Sequence, residues 1–97
     1  MRRAAKIDRN QPEIVEIFED YGFSVQRAQA MGSGFPDLIL GYGGRNYLVE
    51  VKDWQLSPSK RKLNEIQQEW HGAWKGQVCV VETAIEAIKL AEKWRAE

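Results

Sequence analysis

An α/β fold with a mixed four-stranded sheet, flanked by helices and followed by a C-terminal helix, is what this sequence predicts. Three observations predict it. Hydrophobic spacing gives the order helix, three strands, helix, strand, helix. The strand segments carry apolar residues on both faces, as a sheet covered by helices on both sides requires. The last strand, QVCVVE, follows a helix and therefore calls for a crossover connection.

Residues 10 to 21 place Ile14, Ile17, Phe18 and Tyr21 on one helical face, with Asn10 and Glu13 in capping-box spacing and Gly22 as the stop. FSVQR alternates as a first strand. After the small-residue loop AQAMGSG, the segments FPDLILGY and RNYLVEVKDW form a hairpin through Gly43 and Gly44. A second helix runs into the stripe Leu63, Ile66, Trp70 and Trp74, starting near Ser57-Pro58 or at Asn64, and Gly76 ends it. Thr83 with Glu86 opens a last helix with Ile85, Ile88, Ala91 and Trp94 on one side.

Length and composition bound the rest. The 97 residues fit one domain, 1–97, and 43% hydrophobic with 29% charged residues describes a soluble globular chain. No stretch nears the roughly 20 apolar residues of a membrane span, and MRRAAKIDRN lacks the apolar segment of a signal peptide, so a cytoplasmic location is expected. Cys79 has no second cysteine for a disulfide or zinc site and reads as a core residue. Formal net charge is zero. Cations nevertheless gather at Arg2, Arg3, Lys6 and Arg9, and again at Lys52, Lys60, Arg61 and Lys62, where phosphate could be met.

The hairpin fixes where its charged residues point. With Gly43-Gly44 as a two-residue turn, residues whose numbers sum to 87 face each other, so Asp37 stands opposite Glu50, roughly 5 Å apart at Cβ. Period-2 alternation puts Lys52 on the same face. Ile39 and Leu48 share that face, so the charges adjoin an apolar surface where unpaired charge is costly. Two carboxylates this close repel unless a cation lies between them. Hard oxygen ligands favour Mg²⁺, which binds through one or two carboxylates plus a substrate phosphate. Such a metal would polarise a phosphoryl group and acidify a water that Lys52 could orient or deprotonate. The backbone carbonyl of Val51 turns toward the site as its side chain turns away.

Pro36-Asp37, followed after residues 38–49 by Glu50-Val51-Lys52, resembles the PD-(D/E)xK nuclease signature, and the order αβββαβ resembles that superfamily's restriction-endonuclease-like core. The segments NQPEIVEIFEDYGF, GSGFPDL and KLNEIQQEWHGAWKGQVCVV resemble the VRR-NUC (virus-type replication-repair nuclease) family over roughly residues 8 to 94. The resemblance implies Mg²⁺- or Mn²⁺-dependent endonucleolytic cleavage of DNA, Holliday junctions or other branched forms above all, by a homodimer without a nucleotide cofactor. Asp37 and Glu50 carry over as metal ligands and Lys52 as the catalytic lysine.

The family's acidic residue on the first helix has no secure counterpart. Gln11 could hold a metal-bound water, whereas Glu13 is equally explained as the capping partner of Asn10. Gln67 is either the third capping-box residue after Asn64 or a site residue contacting Lys52, the attacking water or a phosphate. The resemblance favours the site. His71 and the four tryptophans read as structural, with Trp54 able to stack on a base instead. A non-catalytic module clamping branched DNA with the same fold is the alternative function, and a protein-interaction domain a third.

Overall fold

The computed structural model describes residues 7–97. The first helix, α1 (Gln11–Asp20), leads into β1 (Ser24–Arg27), a 3-10 turn (Gln29–Met31), β2 (Leu38–Tyr42) and β3 (Arg45–Val51). A one-turn helix α2 (Pro58–Arg61), α3 (Glu65–Ala73), β4 (Val78–Val81) and α4 (Ala84–Arg95) complete the chain. The predicted second helix is thus two helices, which begin at the two alternative starts: Ser57-Pro58 and Asn64. Among the described residues no helix is long and apolar enough to cross a membrane.

The four strands form one sheet in the order β1-β2-β3-β4. The first three are antiparallel neighbours and β4 runs parallel to β3, so residues 52–77 make the expected crossover. Gly43 and Gly44, at φ +59° and +77°, take the left-handed conformations that a tight hairpin turn demands. The resulting register, from Leu38↔Val49 to Tyr42↔Arg45, is the one that sets Asp37 against Glu50.

α1 ends in a complete Schellman motif. The Gly22 N–H donates to the Glu19 carbonyl at 2.9 Å and the Phe23 N–H to that of Phe18 at 3.0 Å, while the two phenyl rings meet at 5.6 Å. Its start differs from expectation. Asn10 caps nothing; its amide donates to the carbonyls of Lys52 (3.1 Å) and Glu82 (3.0 Å), pinning the helix start to the ends of β3 and β4.

The core lies on one face of the sheet, where Leu38, Leu40, Tyr47, Val49, Val51 and Val81 meet Ile14, Val15 and Phe18 of α1 and Ala87, Ala91 and Trp94 of α4. Burying a side chain the size of Val, Leu or Phe contributes about 1.5–3 kcal/mol. Trp94 stacks on Tyr47 at 4.2 Å. Ile85, expected on the buried side of α4, is exposed, because the buried line runs through Ala87, Ala91 and Trp94. Cys79 packs against this core, and burial pushes its thiol up to about 11.

The opposite face, with Leu48, Val78 and Val80, is covered only in part. α3 has no buried residue: Ile66 is 60% and Trp74 45% exposed, so the stripe expected to be buried is largely a surface. Trp70 stacks on Trp74 at 4.6 Å and meets Phe35 edge-on at 5.1 Å. Trp54 is also exposed.

Candidate functional site

A cavity of about 450 Å³ opens between the ends of β2 and β3, the segment before α1 and the crossover, and Asp37, Glu50, Lys52 and Gln67 all line it. Asp37 directly precedes β2. One of its carboxylate oxygens, Oδ2, accepts the Val51 N–H at 2.9 Å, which ties the carboxylate to the neighbouring strand and brings the Val51 peptide to the site. Glu50 is only 2% exposed. Its Oε2 accepts from Gln67 Nε2 at 3.0 Å and lies 3.4 Å from Lys52 Nζ, while its buried Oε1 has no hydrogen-bond partner.

Gln67 reconciles its two alternative roles. Its Oε1 accepts from Lys52 Nζ at 2.9 Å and from the Asn64 N–H at 3.1 Å, and its own N–H donates to Asn64 Oδ1 at 2.8 Å. A capping box and a link between Lys52 and Glu50 therefore coexist, because an amide oxygen has two lone pairs and the amide nitrogen remains to donate elsewhere. α3 is set close to the sheet end by the GSG loop. Gly34 has φ +84°, and a Cβ there would lie 2.7 Å from the Ile66 carbonyl oxygen.

Burial, and after it the charge of Asp37, push the Glu50 carboxyl up to about 8 despite Lys52 nearby. Burial likewise raises Asp37 against the pull of the Val51 N–H. Without a cation this pair retains a proton near neutrality. No cluster of three or more His, Cys, Asp or Glu able to hold a metal occurs among the described residues. Two carboxylates facing one cavity are a donor set for a hard divalent cation that keeps part of its own water, and the orphaned Oε1 of Glu50 is an acceptor such an ion would satisfy.

Neither first-helix candidate, Gln11 or Glu13, lines the cavity. Glu13 is exposed on α1. Gln11 is completely buried, both its amide atoms are without a hydrogen-bond partner, and it is not among the residues that line the cavity. Asp8, just before α1, lines the cavity instead, and its charge raises Asp37. Ser59, Lys60, Lys62 and Asn64 complete the polar rim. Sequence periodicity marks none of these, since all lie outside regular helical or strand faces or in the one-turn α2. Arg9 is not available to phosphate as its cluster suggested: it grips Asp53 with Nε and Nη2 at 3.1 and 2.9 Å, holding that carboxyl below its usual range. Arg2, Arg3 and Lys6 lie outside the described residues. His71 is lowered by burial and, less, by Lys52, and it does not line the cavity.

No curated protein and no solved structure matches the chain. A family model does, over residues 2–80, and it describes the archaeal Holliday junction resolvases rather than the VRR-NUC branch. The mixed sheet, its flanking helices and the C-terminal helix agree with the PD-(D/E)xK fold of those resolvases. With most of its length matched and the fold in agreement, the chain belongs to the archaeal Holliday junction resolvase (Hjc) family.

Proposed function

We propose that the chain is a Mg²⁺- or Mn²⁺-dependent endonuclease that hydrolyses phosphodiester bonds in branched DNA, Holliday junctions in particular. The observation that carries this reading is the convergence of Asp37, Glu50, Lys52 and Gln67 on one cavity, with a buried carboxylate oxygen left without a partner. The likeness of the first-helix and α3 segments to VRR-NUC members supports the same chemistry.

Asp37, Glu50 and the Val51 carbonyl are the groups that would hold the cation, and the buried, unpartnered amide of Gln11 would contribute through a water. A divalent cation there supplies Lewis-acid polarisation of the phosphoryl group and a nucleophile at neutral pH. Lys52, held between Glu50 and Gln67, orients the attacking water and offsets the charge that builds on the phosphorane-like transition state. Gln67 positions Lys52: its amide oxygen fixes Nζ while its amide nitrogen keeps Glu50 turned into the site.

A symmetric four-way junction needs two matched incisions, which one site per chain supplies only if two chains associate about a two-fold axis. Ile66, Trp74 and Val80 are exposed and offer apolar area that a second copy would cover. A panel of junction, flap, nicked and linear DNA, incubated with wild type and Asp37→Ala with and without Mn²⁺, tests the activity. Metal-dependent cutting of the junction, lost in the variant, is expected; DNA binding without any cutting would leave a non-catalytic junction-binding module. Sedimentation at micromolar concentration should give twice the monomer mass, and a monomer releasing uncorrelated nicks would remove the paired-incision reading.

A further inference from the structure

The cavity wall carries three lysines, Lys52, Lys60 and Lys62, beside three carboxylates, Asp8, Asp37 and Glu50. Lys52 is engaged by Glu50 and Gln67. Lys60 and Lys62 also line the wall but make no ion pair with any described residue. Arg61, between them, is turned to a structural purpose, donating to the Trp54 carbonyl at 2.8 Å and lying 4.0 Å from a Glu82 carboxylate oxygen.

The segment that presents these lysines is fixed at both ends. Asp53 accepts the Gln55 N–H at 3.0 Å while held by Arg9, the Leu56 N–H donates to the Asp53 carbonyl at 3.0 Å, and the Lys60 N–H donates to Ser57 at 2.9 Å. Arg61 closes the other side. Two exposed lysines without an ion-pair partner among the described residues therefore stand at the rim of a cavity whose floor is acidic. Once a divalent cation balances Asp37 and Glu50, Asp8 is the one lining carboxylate left against Lys52, Lys60 and Lys62, and the surplus of positive charge is what an anion from outside would satisfy. The volume, about 450 Å³, lies within the range of about 300–1,000 Å³ typical of sites for drug-sized ligands, so it has room for more than one phosphate group.

We propose that Lys60 and Lys62 form a binding subsite for a DNA backbone phosphate flanking the scissile one. This rests on the nuclease reading for the identity of the polymer, and it adds where the strand runs: from the carboxylates out over α2. Lysine binds phosphate as a point charge without reading sequence, so the subsite holds the strand in register and contributes equally to every DNA sequence.

The experiment is a salt titration of full-length protein on a fluorescently labelled four-way junction, followed by anisotropy in Ca²⁺, for wild type, Lys60→Gln, Lys62→Gln and the double variant. Each lysine that meets a phosphate should lower the slope of log affinity against log salt by about one, and the double variant by about two. Lys60→Arg and Lys62→Arg should keep the wild-type slope. Mn²⁺ binding, measured by calorimetry without DNA, should be the same for wild type and both Gln variants. An unchanged slope in the double variant overturns the subsite, leaving the lysines as solvated surface charge, even if wild type cuts DNA. A fall in Mn²⁺ affinity also overturns it, since the lysines would then act on the carboxylate site. If the slope falls as expected but no metal supports cutting, the subsite stands and the nuclease reading fails.

Discussion

Gln67 donates to the buried Oε2 of Glu50 at 3.0 Å while the other end of the same amide receives Lys52. One side chain therefore orients an acid and a base of the site, which also meet each other at 3.4 Å. Because Gln67 also closes the capping box of α3, truncation to Ala should damage both: a loss of about 1 kcal/mol in stability and at least tenfold in cleavage rate. Gln67→Glu separates them. Glutamate still completes the box and still accepts from Lys52, but it sets a second carboxylate against Glu50. Helicity by circular dichroism should hold while cleavage falls tenfold or more; an active Gln67→Glu would remove the residue from the site.

Glu50→Gln gives a prediction of opposite sign for stability and activity. The folded carboxyl is raised to about 8 from an ordinary value near 4.5, so the metal-free native state keeps a proton that the unfolded chain releases. Stability is then highest below about pH 4.5 as far as this group is concerned, and falls as pH rises toward about 8. The glutamine variant, which cannot ionise, lacks that fall. Thermal melts in EDTA between about pH 5 and about pH 9 should show Glu50→Gln more stable than wild type at the alkaline end, though inactive. A less stable variant at about pH 9 would contradict the buried-acid description.

Metal binding should release a proton. Since the cation requires both carboxylates ionised, Mn²⁺ affinity should climb with pH up to about 8 and level off beyond it. Calorimetry in buffers of different ionisation enthalpy measures the proton directly, and a pH-independent affinity would count against Glu50 as a ligand. Ca²⁺ should support DNA binding with little turnover, because its looser coordination acidifies water less.

Gly34→Ala reaches the site without touching it. At φ +84° an alanine is strained, and its methyl would press on the Ile66 carbonyl and the Trp70 side chain, so α3 must move. Destabilisation of about 1–3 kcal/mol is expected, with a loss of activity larger than Ile66→Ala causes. Equal activity in Gly34→Ala and wild type would show that α3 need not sit this close.

The hairpin was the most legible part of the molecule, because a Gly-Gly turn leaves one register and that register decides which residues face each other. Asp37, Glu50 and Lys52 followed from it. Asn10 was misread since its spacing from Glu13 satisfies a local pattern, while the carbonyls that claim its amide belong to Lys52 and Glu82, far along the chain. The α3 stripe illustrates a second limit: periodicity shows that Ile66, Trp70 and Trp74 share a face, not whether anything covers it. Ile85 misled for a related reason, as the small Ala87 lets α4 approach α1 and carries the buried line instead. Asp8 belongs to no periodic segment, and only the docking of α1 brings it to the cavity.

Parallel strands cannot be joined by a tight turn, so the chain must travel some distance between β3 and β4. Here that detour carries Lys60, Lys62, Asn64 and Gln67, whereas Asp37 and Glu50 belong to the hairpin it leaves behind. The two acids of the cavity and its rim lysines thus reside in pieces of chain under different constraints. The hairpin cannot slip by one residue without turning its acids to the other face. Between residues 53 and 62 the detour meets no strand register, so its exposed charges at Lys60 and Lys62 can change without turning Asp37 or Glu50 to the other face, which makes it the part of this fold where a new preference among DNA shapes would arise while those carboxylates stay where they are.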